Sequence, residues 1–198
     1  MTEYRHGQPT AEQLSSAHGF GHEVERTLQL RAAFVHGYLN DDKAAELCLW
    51  LVALDTFNEE PIMLHLSTND AGLRAAFTVV DTMEAIRSPV HARVTGQVGG
   101  SALSILASAQ RRTISRHATL RLAEPQEKFD GTAAELAIRE SEHRWLVDAL
   151  YASLAKVTGR HVDEIHDDAE RGRLFNPTQA LAYGFVEEIH GLQSENLS

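Results

Sequence analysis

The chain has 198 residues, enough for one domain with one sizeable core. Its 43% hydrophobic and 23% charged content is the ordinary balance of a soluble globular protein. With 28 acidic against 18 basic residues the formal charge is −10, which argues against nucleic acid or an anionic membrane surface as partner.

Residues 1–25 are polar, with Gly7, Pro9, Ser15, Ser16, Gly19 and Gly21, and read as a flexible arm. His6, His18 and His22 are scattered in it. No continuous apolar stretch there suits a secretory leader, and no run reaches the ~18 residues of a membrane span. Asp41 and Asp42 can cap a helix running to about Phe57, with Leu47, Leu51 and Leu54 at helical spacing. Cys48 is the one cysteine, so no intrachain disulfide can form and a reducing cytoplasm fits. Lying among Leu47, Leu49 and Trp50, it reads as a buried small residue and not a reactive thiol.

Ile62–Leu66 reads as a strand, closed by Pro61 and the turn Ser67-Thr68-Asn69-Asp70. A helix follows from about Ala71 to Arg87, with Leu73, Phe77, Val80 and Met83 on one face, and Pro89 ends it. Val90–Thr95 is the next strand, and the helix after Gly100 carries Leu103, Ile105 and Leu106. This β-α-β-α-β order implies parallel strands joined by right-handed crossovers, with sites at the strands' C-terminal ends. A long amphipathic helix spans about Thr132–Val157, anchored by Leu136, Trp145, Leu146, Leu150 and Leu154, and Gly159 stops it. Such a helix needs a partner for its apolar stripe, so self-association is expected. His161 to Asp168 reads as an exposed acidic helix with Val162 and Ile165 inward. His161 and His166 are five apart and fall on different helix faces, so they make no metal pair. No cofactor or metal is expected.

The segment Val94-Thr95-Gly96-Gln97-Val98-Gly99-Gly100-Ser101-Ala102-Leu103 runs from an apolar strand through a glycine turn into an apolar helix. That is how α/β proteins present a nucleophile beside free backbone N–H groups. The segment resembles the Gly-Gln-small-small-Ser turn of the ClpP family, the serine-peptidase subunits of the Clp protease. Further likeness runs through Arg31–Asp41, Asp81-Thr82-Met83, Pro125–Ile189 and the closing Ala182-Tyr183-Gly184-Phe185-Val186-Glu187-Glu188-Ile189.

The resemblance implies a ClpP/crotonase-like α/β fold of repeated β-α-β units. It gives a domain over residues 26–192, a protruding handle at 126–157 with a strand before the helix, and a tail at 193–198. It also implies that Gly100 stands in the nucleophile's place. Ala123, in Leu120-Arg121-Leu122-Ala123-Glu124-Pro125, stands for the histidine. Gly172, in Asp168-Ala169-Glu170-Arg171-Gly172-Arg173, stands for the aspartate. The family's Ser-Pro-Gly-Gly, which helps form the oxyanion hole, is here Thr68-Asn69-Asp70-Ala71, and a carboxylate there would repel a developing oxyanion.

Ser101 is the nearest surviving hydroxyl. It is either a displaced nucleophile without an identified base or a helix cap, and the cap is the better account. His91 and His117 are sequence neighbours of the cleft strands, with nothing to place either at Ser101. Asn69, Asp70 and Glu124 could line a small-ligand pocket, although turn and capping roles serve equally well for the first two. Where family members receive their ATPase on apolar side chains, this chain has Met63, His65, Ala85, Thr113 and His190, which implies weakened docking. The expectation is a degenerate ClpP-type subunit, similar to the inactive ClpR-type ones. It would be cytoplasmic and would assemble in a ring with itself or with active subunits. A divergent serine hydrolase using Ser101 and a small-ligand or peptide-binding protein are the alternatives.

Overall fold

A computed structural model describes residues 29–191; the expected N-terminal arm and C-terminal tail lie outside the described residues. In chain order the elements are β1 (Ala32–His36), α1 (Asp41–Phe57), β2 (Ile62–Ser67), α2 (Leu73–Ala85), β3 (Val90–Val94), β4 (Gln97–Gly99) and a 3-10 turn over Gly100–Ala102. There follow α3 (Leu103–Ser108), β5 (Arg111–Ser115), β6 (Thr119–Arg121), α4 (Ala133–Thr158), α5 (Val162–Glu170), β7 (Leu174–Phe175), α6 (Pro177–Tyr183) and β8 (Glu188–His190).

Five strands form a parallel sheet in the order β1-β2-β3-β5-β8. Each neighbouring pair is joined through helices, as parallel pairing requires. Between β5 and β8 the chain makes a long excursion that builds a second sheet, in which β6 lies parallel to β4 and antiparallel to β7. The alternate burial of β2 and β3 follows from one face packing on helices while the other stays partly open. Leu64, Leu66, Val90, Val94, Leu103 and Ile105 are fully buried at the heart of the core.

The predicted elements are present, with local corrections. Asn40, not Asp41 or Asp42, caps α1: its side chain accepts from the Lys43 N–H, and the two aspartates occupy the first turn. α2 stops at Ala85, four residues before Pro89, because Asp55 Oδ1 accepts the next N–H groups, of Arg87 at 3.1 Å and Ser88 at 2.8 Å. Cys48 is half-buried, and its sulfur accepts from Thr82 Oγ1 at 3.1 Å.

α4 matches its expected span. Thr132 and Glu135 form a reciprocal capping box, and Gly159 closes the helix at φ +69°. Its C-terminal half packs through Leu146, Leu150 and Leu154, whereas Trp145 is 68% exposed and is no anchor within the chain. Val162 is likewise exposed, and Ile165 alone of that pair points inward. The segment before α4 is not a strand: Leu122 and Glu124 bond the 169–173 turn, and residues 122–130 form no ladder. Glu127 and Phe129 instead lie against His143 of α4.

Candidate functional site

The two sheets meet at the C-terminal ends of β2 and β3. Thr95 N–H donates to the Leu66 carbonyl at 2.7 Å and Gly99 N–H to the Thr68 carbonyl at 3.1 Å, so the turn after β3 is tied to the turn after β2. Gly99 also pairs with Arg121 on β6. A Cβ on Gly99 would come within 3.0 Å of the Arg121 carbonyl, and only glycine permits that approach. Gly100 follows at φ +52°, in the left-handed region that favours glycine.

The space a side chain at residue 100 would enter is already filled. Asp70, half-buried in the turn after β2, directs Oδ1 onto the backbone N–H of Ala71 at 2.8 Å and of Ser101 at 3.3 Å. A Cβ on Gly100 would lie 2.1 Å from that same oxygen. The carboxylate thus holds both of these amides.

Ala123 and Gly172 come together at the far side of β6. Leu122 N–H donates to the Arg173 carbonyl at 2.9 Å, and Glu124 N–H to that of Ala169 at 3.3 Å. Ala123 is therefore clamped between two bonds to the 169–173 turn, where Gly172 N–H donates to the Ala169 carbonyl at 3.0 Å. The nearest atom to a Cβ on Gly172 would be Arg121 Nη2, at 3.9 Å. The strand ladders thus bring positions 100, 123 and 172 to one end of the molecule.

Ser101 is 1% exposed, and its carbonyl accepts from Ser104 Oγ at 2.8 Å. Among the described residues its hydroxyl makes no hydrogen bond, so the expected capping role is not formed. His91 sits in β3 level with Met63 and Arg111, near the strand's opposite end, and His117 is exposed in the turn before β6. Neither supplies a base at the elbow.

A charged cluster forms at the 169–173 turn. Asp168 is buried; its Oδ2 accepts from Tyr183 Oη and from Arg173 Nη1, both at 2.7 Å. Burial and the bond to Asp168 hold the Tyr183 phenol far above its ordinary value. Burial, aided by Glu124 and Glu170, pushes Tyr151 up to about 12. The spacing Asp168-x4-Arg173 was visible, but the tyrosine arrives from another helix.

The remaining sequence candidates separate. His161 accepts from the Asp163 N–H at 3.3 Å as the cap of α5. His166 groups instead with Asp167 and Glu170, all exposed, which is an ordinary solvated helix face. Met63 and His65 share the open face of β2, and Thr113 on β5 falls in the same row as His65 through Arg93. His190 is level with Ser115 on β8. Ala85 lies apart at the end of α2, in a shallow groove with Val52 and Asp55. Phe34 stacks on His65 at 4.6 Å, and burial together with Arg93 lowers the His65 pKa.

Sequence comparison agrees with this architecture. Residues 18–193 match the Clp protease family. The chain is 29% identical over 170 residues to the ATP-dependent Clp protease proteolytic subunit 1 of Mycobacterium leprae, covering 83% of this chain and 84% of that one. It is 28% identical, again over 83% and 84%, to proteolytic subunit 2 of Mycolicibacterium paratuberculosis. Subunit 1 of Corynebacterium jeikeium is 27% identical over 83% of this chain and 89% of its own length. No helix among the described residues is long and apolar enough to cross a membrane.

Proposed function

The chain belongs to the Clp protease family, and from that premise we propose that it is a non-catalytic subunit which enters a ring with copies of itself or with active subunits. What supports this reading is the turn after β3: Gly100 has a left-handed backbone there, and the resemblance sets Gly100, Ala123 and Gly172 where family members carry a nucleophile, a base and an orienting acid. Retained scaffold with absent chemistry fits a part whose role is to be assembled. The exposed apolar side chains Ile138 and Trp145 on α4 supply a surface for that assembly. The charge of −10 and the half-buried lone cysteine fit a cytoplasmic home.

The test is direct. Purified chain is offered fluorogenic peptides and a fluorophosphonate probe, alongside a Ser101→Ala control. The expected result is no turnover and no labelling in either. Labelling that disappears with Ser101→Ala would overturn the reading and make Ser101 a displaced nucleophile.

A further inference from the structure

Acyl-transfer sites stabilise the transition state with preorganised N–H donors aimed at the oxygen that becomes negative. Where the turns after β2 and β3 meet, two such donors converge, from Ala71 and from Ser101, the residue after Gly100. Both already point at one oxygen, Asp70 Oδ1, at 2.8 and 3.3 Å. A carboxylate oxygen carries the charge those donors are suited to, and the 2.8 Å bond from Ala71 has the length of a charge-assisted one, while that from Ser101 is longer at 3.3 Å. A neutral substrate carbonyl competes poorly against a charged group held in place by the chain itself.

We infer that Asp70 is an internal anion: it closes a two-amide anion hole that the fold still builds, and it is a block separate from the three absent side chains. The inference rests on the reading of the cleft as inactive. It extends that reading by naming what the hole would otherwise take, the oxygen of an acyl or phosphonyl group. The same carboxylate makes Asp70 and Gly100 a coupled pair. Any side chain at residue 100 begins 2.1 Å from Oδ1, closer than two non-bonded atoms can sit, so a serine there must displace the carboxylate from the hole. Asp70 is tolerated because residue 100 is glycine, and glycine suits residue 100 because Asp70 fills its space.

The first arm of the test is a stability cycle on the full chain, pairing Gly100→Ser with Asp70→Ala and following the apparent Tm. The left-handed backbone at residue 100 penalises serine in both backgrounds and cancels in the comparison. The clash does not cancel, so Gly100→Ser is expected to lower Tm by about 3–8 °C more with Asp70 present than in the Asp70→Ala background. Equal losses in the two backgrounds overturn the pairing.

The second arm restores the missing groups as Gly100→Ser, Ala123→His and Gly172→Asp, and follows fluorophosphonate labelling. In that reaction the serine oxygen bonds to phosphorus and fluoride leaves. The serine proton passes to the histidine, and the phosphonyl oxygen occupies the hole. Labelling is expected to be roughly 100-fold faster or more with Asp70→Ala added, the scale at which loss of one hole donor is felt. A restored chain that labels equally fast with Asp70 intact defeats the inference. Where no restored chain labels, the stability cycle alone decides it. Peptide turnover by the unmodified chain would instead defeat the proposed function and leave the cycle's answer standing.

Discussion

Tyr183 contributes a hydroxyl that one buried carboxylate depends on. Among the described residues its bond to Asp168 is shared only with Arg173, whose side chain is 46% exposed, and Arg160 lies 3.9 Å above the same ring. Tyr183→Phe leaves the packing intact and removes one of two donors. A loss of about 1–3 kcal/mol is expected, measured by urea denaturation. The sign of its pH dependence also follows. The folded phenol ionises well above its ordinary value of 10.0, so its contribution is complete below that pH and is lost as pH rises beyond it. Wild type should therefore weaken more steeply above pH 10 than Tyr183→Phe does. Tyr151, which also titrates high, remains in both and does not disturb the comparison.

α4 divides at about residue 145 into an outer half and an inner half. The inner half buries Leu146, Leu150 and Leu154; the outer half exposes Ile138 at 69% and Trp145 at 68%, beside a shallow groove lined by Ala137, Ser141 and Glu142. Arg74 of α2 pairs with Glu142, one of the few ties the outer half has to the core. Ile138→Ser with Trp145→Ser should leave the circular dichroism of the chain unchanged, because neither side chain packs within it. The same pair should shift its sedimentation toward smaller species. Unaltered sedimentation would remove this helix from the assembly surface. The helix itself was readable from its apolar spacing and from Gly159 at its end; the Thr132–Glu135 capping box is found in the structure. The role of Trp145 was not, since a period of 3.6 shows which residues share a face but not whether that face meets its own chain.

For the whole molecule the decisive matter is what it joins. The proposed function makes native mass spectrometry of tagged chain from its own host the informative measurement. Rings of this chain, alone or mixed with active subunits, are expected, and in mixed rings peptidase activity per ring should fall as its share rises. A pure homo-oligomer would separate the chain from proteolysis and turn attention to ligands of the cleft. The parallel β-α-β order that carries this scaffold was legible from alternating strand and helix signals, and the relatives' similarity spans the same residues.

The sequence by itself determined the alternation of helix and strand from Asp41 to Leu106, the long helix that Gly159 stops, and the glycine turn after β3. These are matters of residue type and short-range spacing, where each signal and its consequence lie within a few residues. Tertiary structure alone decided that Asp70 seats its carboxylate on the Ser101 amide, 31 residues away, and that Tyr183 reaches Asp168 from another helix. Both contacts depend on strand pairing and helix packing that bring distant segments to hydrogen-bonding range, and no local pattern encodes a distance of that kind.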